Sequence, residues 1–283
     1  MSETMSVPKR VGVLGGGTMG AGIAFSFARA GAKVTLVERD GPSVESARER
    51  IAESIRRSDS KGVQLSFSLE DVSFETDYGT FASAELVVEA VPEDIDLKKS
   101  ALAAVERELG ADGWLTSNTS SLSLTEISHS LARPDRFCGL HFFNPVPASA
   151  LVEIVLTPQT SPELATLSAA WVRGLEKTPI TVNDAPGFAS SRLGIAIALE
   201  AIRMLEEGVA SAEDIDKAMV LGYRHATGPL KTTDLVGLDV RLAIAEYLHA
   251  TLGERFAPPV LLREKVARGD LGRKSGRGFF DYP

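Results

Sequence analysis

Six residues, Gly15-Gly16-Gly17-Thr18-Met19-Gly20, have the spacing G-x-G-x-x-G, and the chemistry this spacing serves is the binding of a dinucleotide diphosphate. Alone it is a weak signal, and its context gives it weight. The apolar run Val11-Gly12-Val13-Leu14 precedes it, residues 21–30 alternate small and apolar side chains at helical spacing, and Glu38 ends the next β-branched run. Gly15 allows the tight turn, Gly17 lets a pyrophosphate approach the backbone, and Gly20 lets helix and strand pack closely. The diphosphate then rests on the N–H groups at the helix start. Glu38 is suited to accept from a ribose diol and repels a 2′-phosphate, so NAD is expected rather than NADP; Arg39 beside it weakens that preference slightly. The other reading is a glycine-rich turn with no ligand.

A second candidate is His141, which lies between an apolar strand and a proline-flanked turn, with Glu153 twelve residues on in the next strand segment. Imidazole is the side chain suited to proton transfer near neutral pH. A lone histidine on an apolar strand is more often structural, and His129, His225 and His249 stay in that class. Similarly, a serine in the run over residues 117–123 is usually a turn or cap residue, and Glu153 read alone is equally a surface carboxylate at a strand end. Cys138, on the strand leading to His141, reads as a buried, reduced core residue. Being the one cysteine, it excludes an internal disulfide and a thiolate metal cluster, and no metal site is expected.

The elements that must position these residues are legible in outline. Residues 10–38 read as strand, turn, helix and strand, a βαβ unit implying a parallel sheet with a right-handed crossover. A helix is expected over residues 43–57, with Val44, Ala47, Ile51 and Ile55 on one face and Arg48, Arg50, Arg56 and Arg57 on the other. Strands are expected over 72–74, 86–91, 114–117, 137–141 and 152–156, with helices between most of them. The fold class is therefore α/β, a Rossmann-type, mainly parallel sheet. Beyond Pro186 no strand is convincing, and helices are expected over 189–208, 211–221 and 238–252. Residues 193–202 are apolar on nearly every side, which suggests a helix buried on several faces or at a subunit contact. Two domains follow, 1–185 and an all-helical 186–283, with residues 1–8 a loose tail. The chain has 283 residues, 44% apolar and 24% charged, enough to bury a core without disulfides or metal. A net charge of −8 argues against a nucleic-acid partner. No apolar run reaches the roughly 18 residues of a membrane span, and the N-terminus lacks the apolar stretch of a secretory signal, so a cytoplasmic protein is expected.

Five further motifs carry a resemblance. They are Leu86-Val87-Val88-Glu89-Ala90-Val91-Pro92-Glu93, Ser117-Asn118-Thr119-Ser120-Ser121, His141-Phe142-Phe143-Asn144-Pro145, Gly187-Phe188 and Gly272-Arg273-Lys274-Ser275-Gly276-Arg277-Gly278-Phe279. With the glycine-rich turn, and over nearly the whole chain, the sequence resembles the L-3-hydroxyacyl-CoA dehydrogenase family, including the 3-hydroxybutyryl-CoA dehydrogenases. The resemblance implies a Rossmann-type NAD domain, a helical C-terminal domain that forms a homodimer, and reversible oxidation of a (3S)-3-hydroxyacyl-CoA to the 3-oxoacyl-CoA. The family serves fatty-acid oxidation, butanoate metabolism and aromatic-acid breakdown. His141 corresponds to the general base and Glu153 to the carboxylate that fixes its tautomer. Ser120 corresponds to a residue that bonds the substrate oxygen near the nicotinamide, and Asn144 to one close to the nicotinamide. Glu93 and Lys98 match residues around the cofactor ribose, Lys274 a lysine that reaches the NAD site, and Ser54 and Lys61 positions that touch CoA.

Two departures bear on substrate choice. Ser191 stands in Gly187-Phe188-Ala189-Ser190-Ser191-Arg192 where the family has Asn, exchanging an amide for a shorter hydroxyl with one donor. The helical hairpin that clamps CoA in the family looks trimmed over residues 59–71. The basic cluster Arg56, Arg57 and Lys61 reads either as a CoA contact or as an ordinary solvated helix face. These departures leave room for a dehydrogenase of a free hydroxy or sugar acid, similar to L-gulonate 3-dehydrogenase, and for a non-catalytic NAD-binding protein like the crystallin relatives of the family.

Overall fold

Strand β1 (Arg10–Leu14) is buried at four of its five residues, as an apolar run flanked on both sides by other strands should be. The computed structural model describes residues 7–283; of the tail expected over 1–8, residues 1–6 lie outside the described residues. The glycine-rich turn leads from β1 into α1 (Thr18–Arg29), buried continuously from Gly20 to Ala28, and then into β2 (Lys33–Val37), parallel to β1 with Val11 beside Val34. Helix α2 (Gly41–Ser60) is longer than the 43–57 expected. Asp40 accepts from the Ser43 N–H at 2.8 Å and Pro42 fits the first turn, which together extend the start of the helix. A loop and a short 3-10 turn at Leu69–Asp71 follow, so one long helix stands here in place of a hairpin.

The first unit continues with β3 (Val72–Glu75), β4 (Leu86–Glu89), α3 (Ile95–Glu108), β5 (Trp114–Ser117), α4 (Leu124–Ser128), β6 (Phe137–Phe142), β7 (Leu151–Leu156), α5 (Pro162–Gly174) and β8 (Thr178–Asn183). The sheet order is β3-β2-β1-β4-β5-β6-β7-β8. The first six strands are parallel in the doubly wound order, and the crevice lies where that order reverses, between β1 and β4. Helices cover the sheet, with Val13, Ile23, Phe27, Leu36, Leu140 and Ile154 in one core. Two features were not expected. β7 runs antiparallel to β6, and β8 adds an edge strand whose Pro179 and half-buried residues hid it from a search for apolar runs.

The described chain divides between Asp184 and Ala185. The second unit is helical: α6 (Ser190–Glu206), α7 (Ala212–Lys217) running into a π turn at Ala218–Gly222, α8 (Pro229–Val236), α9 (Leu238–Leu252) and α10 (Val260–Ala267). The short α8 and α10 fall outside the three helices expected. Ile195, Leu199, Ile202, Leu230, Leu238 and Leu248 make its core. Asp234 ties down the chain end, accepting from the N–H groups of Phe279 and Phe280 at 2.8 and 2.9 Å and from the Tyr282 hydroxyl at 3.0 Å. Helix α6 is not buried all round: Leu193 is 64% and Ile197 38% exposed, so its apolar residues serve two faces, one of them open.

Gly15 has φ +92, and a Cβ on Gly20 would stand 1.7 Å from the Gly15 carbonyl oxygen, an impossible approach for backbone. Gly20→Ala is therefore expected to cost about 3 kcal/mol or more of stability in urea denaturation. A Cβ on Gly17 meets nothing within 4 Å, and Gly17→Ala should stay within about 0.5 kcal/mol.

Candidate active site

The antiparallel register of β6 and β7 sets His141 directly opposite Glu153. The two side chains meet at 2.8 Å between Nδ1 and Oε2, with His141 6% and Glu153 0% exposed. A carboxylate only accepts, so Nδ1 carries the ring proton and donates it. Chemistry at the ring therefore falls to Nε2, and the carboxylate steadies the ring should Nε2 take a second proton. The Phe143 ring packs 4.5 Å from the imidazole, centroid to centroid. Asn118 holds the strand end that carries His141: its Oδ1 accepts from the Phe142 N–H at 2.8 Å and its own N–H donates to the Glu89 carbonyl at 2.8 Å. Sequence reasoning missed Asn118; the available signal was an amide immediately after a buried parallel strand, where ligand sites gather.

Strands β5 and β6 are neighbours, so the turn after β5, with Ser120, sits at the same edge of the sheet. Glu93 organises that turn. It accepts from Thr119 Oγ1 at 2.6 Å, from the Ser120 N–H at 2.9 Å and from Ser120 Oγ at 3.3 Å. Burial alone would raise its pKa, but the Lys98 charge and these hydrogen bonds outweigh burial and hold it below the ordinary carboxylate range. Lys98 is 1% exposed and donates to Glu89 at 2.7 Å and to the Val91 carbonyl at 3.0 Å, with Glu93 at 3.4 Å. Ser117 Oγ completes the buried group by donating to the other Glu89 oxygen at 2.5 Å. The Lys98 ammonium is thus engaged inside the protein, and any influence it has on a ribose runs through Glu93.

The glycine-rich turn fits a dinucleotide on three observations. Helices α2, α3, α4 and α5 each have a side-chain cap, from Asp40, Asp94, Ser123 and Ser161, whereas Gly17 leaves the first N–H groups of α1 without one. Gly17 and Thr18 are exposed, Met19 is half-buried, and the space beside Gly17 is open. Glu38 stands at the end of β2 and accepts from the Gly16 N–H at 2.6 Å, which places a carboxylate beside the turn. Arg50, not singled out for this role by the sequence, donates to the Gly16 carbonyl at 3.2 Å. Arg39, expected to weaken the preference for NAD, is engaged with Asp40 at 3.0 Å.

Beside this turn runs a groove of about 690 Å³ between α1, α2 and the loop over residues 144–148. Ser54, Arg50, Arg57, Lys61 and Arg29 line it, and Asn144 lies exposed on its rim. The basic cluster read from sequence is divided. Arg57 and Lys61 line the groove, Arg57 while pairing with Glu53 at 2.8 Å, whereas Arg56 is absent from it and pairs with Glu49 and Glu53 at 2.6 and 2.8 Å. The groove loop is held from below by Lys177, 8% exposed, whose ammonium donates to the carbonyls of Val146 and Ser149 at 2.6 and 2.5 Å. Burial and the neighbouring Arg29 charge lower its pKa. In sequence it is one more lysine before a weak strand, and nothing marked it.

Ser191 and Lys274 belong to the second unit: Ser191 in the first turn of α6, Lys274 paired with Asp239 at 2.6 Å. Cys138 is fully buried and burial pushes its thiol up to about 12, so it is an inert core residue. Among the described residues no cluster of three His, Cys, Asp or Glu could hold a metal, and no helix is long and apolar enough to cross a membrane.

Comparison with known proteins gives a consistent picture. Residues 10–185 match the family model described as 3-hydroxyacyl-CoA dehydrogenase, NAD binding domain, and residues 187–282 that of the 3-hydroxyacyl-CoA dehydrogenase C-terminal domain. A 3-hydroxybutyryl-CoA dehydrogenase of Mycobacterium tuberculosis is 40% identical over 97% of this chain and 98% of its own. The human mitochondrial hydroxyacyl-coenzyme A dehydrogenase is 37% identical over 98% of this chain and 92% of its own. The crystal structure of (S)-3-hydroxybutyryl-CoA dehydrogenase from Ralstonia eutropha superposes with a TM-score of 0.92 at 38% identity, covering 98% of this chain and 99% of that one.

Lys177→Met leaves two loop carbonyls without their donor and is expected to lose about 1–3 kcal/mol of stability. Urea denaturation measures the loss, and Lys177→Arg should recover part of it.

Proposed function

The chain belongs to the 3-hydroxyacyl-CoA dehydrogenase family, whose cofactor is NAD, and from that premise we propose how its own residues oxidise a (3S)-3-hydroxyacyl-CoA to the 3-oxoacyl-CoA. The observation that carries the reading is the buried contact of His141 Nδ1 with Glu153. The proton of the substrate's C3 hydroxyl passes to His141 Nε2, and the imidazolium formed is stabilised by a carboxylate already in place. A positioned base of this kind contributes typically ~10²–10⁴-fold. Ser120 donates to the substrate oxygen and keeps it at the end of β5, with Glu93 orienting the turn. NAD, when bound, accepts the hydride leaving C3. The uncapped start of α1, with Gly15, Gly16, Gly17, Thr18, Met19 and Gly20, would hold its diphosphate, and Glu38 would accept from the adenosine ribose. Glu93, with Lys98 acting through it, would hold the other ribose, and Asn144 would contact the nicotinamide.

The CoA moiety is strongly anionic and this chain carries a net charge of −8, so recognition needs local positive charge. The groove supplies it: Arg29, Arg50, Arg57 and Lys61 outnumber Glu49 and Glu53 there by four to two. Ser54 and Lys61 are the proposed CoA contacts. Ser191 is the proposed substrate contact from the second unit and Lys274 the cofactor contact. The open apolar face of α6, with Leu193 and Ile197, supports a homodimer, and the reading is of a cytoplasmic enzyme.

NADH absorbance followed with acetoacetyl-CoA, and separately with free acetoacetate and free gulonate, tests the reading. Consumption with the thioester alone is expected; consumption with the free acids alone overturns it. His141→Ala should lower kcat by about 10³-fold or more while the Kd for NADH changes only a few-fold. Ser191→Asn should alter the ranking of kcat/KM among acyl-CoAs of different chain length, and an unchanged ranking would remove Ser191 from the substrate site.

A further inference from the structure

Glu89 closes β4 at the crevice between β1 and β4, with Leu14 beside it in one direction and Ser117 in the other. It is fully buried, and both of its oxygens are used. One accepts from the Lys98 ammonium and the Val91 N–H, each at 2.7 Å, and the other from Ser117 Oγ at 2.5 Å. From Ser117 the connections run on. Its Oγ accepts from the Thr119 N–H at 3.2 Å, Thr119 Oγ1 donates to one Glu93 oxygen at 2.6 Å, and the other Glu93 oxygen stands 3.4 Å from the Lys98 ammonium. These five residues therefore close a ring between the loop after β4 and the turn after β5. Ser120 hangs from that ring, with its N–H at 2.9 Å and its hydroxyl at 3.3 Å from the Glu93 oxygen that Thr119 also uses.

A buried ion pair contributes little net stability, and an apolar pair of similar volume often serves a fold as well. A ring whose members are each held by two neighbours does what an apolar pair does not: it leaves the serine turn a single position. We infer that Glu89 is a positioning residue for the reaction, acting through Ser117 on one side and through Lys98 and Glu93 on the other to hold the Ser120 hydroxyl where the substrate oxygen meets it. Having no exposure, Glu89 itself is out of reach of substrate and cofactor. Its charge matters as well as its shape. Were Glu89 neutral, the Lys98 ammonium would turn to Glu93, its remaining carboxylate partner, and draw that side chain off the turn. A misplacement of about 1 Å in a reacting group is enough to cost roughly 10²-fold in rate. The inference rests on the role proposed above for Ser120 and names the group that sets it.

The test is a double-mutant cycle on kcat, read with acetoacetyl-CoA at saturating NADH. Glu89→Gln keeps the shape and removes the charge. It should lower kcat by about 10–100-fold while KM for acetoacetyl-CoA changes only a few-fold. Ser120→Ala should lower kcat by about 10²-fold. In that background Glu89→Gln should change kcat by less than about three-fold, because the group it positions is gone. Ser117→Ala opens the ring at a neutral hydroxyl, leaves Glu89 and Lys98 paired, and should show the same cancellation on a loss of about 10-fold. It decides the matter if Glu89→Gln fails to fold. Losses that multiply across the cycle, or wild-type kcat in both ring variants, overturn the inference while turnover of acetoacetyl-CoA by the wild type leaves the proposed reaction standing. Loss of folding in both ring variants identifies a ring that holds the fold, and likewise overturns it. Wild-type kcat in Ser120→Ala removes Ser120 from the reaction and the inference with it, leaving His141 to its own test.

Discussion

A carboxylate with no exposure must sit 2.8 Å from one nitrogen of a nearly buried imidazole, and neither side chain can be placed there by local sequence. The antiparallel pairing of β6 with β7 does it. In such a pair, opposite residues have Cβ atoms about 4.5–5.5 Å apart and project to the same face, so a histidine and a glutamate in register meet with little side-chain freedom left to lose. A one-residue slip in that pairing would send Glu153 to the other face of the sheet. The reversal of strand direction after six parallel strands is therefore the constraint on which the chemistry depends. The rest of the sheet fixes the position of β6, and Asn118 ties its end to β4 through Glu89.

Around that pair the buried charges are balanced in steps. Glu89 and Lys98, both essentially without exposure, form a pair whose remaining hydrogen-bonding capacity is taken up by Ser117, the Val91 backbone and Glu93. A buried ion pair adds little net stability, but removing one partner is expensive, so such a network tends to fix geometry more than to strengthen the fold. Here the geometry fixed is that of the turn carrying Ser120. A comparable division holds in the groove, where an acidic chain concentrates cations on one wall and Lys177 pins the opposite loop through its carbonyls.

Much of this arrangement is legible in the order of residues. The glycine turn, the strand before it and Glu38 after it follow from backbone sterics and helix termini, which act over a few residues. The family resemblance extends that reading to His141, Glu153 and Ser120. The edge strand β8 escapes it because half-buried residues and Pro179 erase the apolar signal. The short helices α8 and α10 escape it because eight residues give few turns over which periodicity can be recognised. Lys98 reads as a residue around a ribose, yet it is buried and held by Glu89. Arg56 reads as part of a basic patch and is neutralised by its own helix.

By itself the sequence determined the βαβ unit, the glycine turn with an acidic residue after the next strand, and the change from α/β to helical composition near Pro186, because each depends on residue type at short spacing, while the candidate base came from the family resemblance. Only the tertiary structure decided that β7 turns back on β6 and that Lys177 and Asn118 hold the loops beside the site. Those are contacts between residues far apart in the chain, and no local propensity encodes which distant side chain a buried polar group will meet.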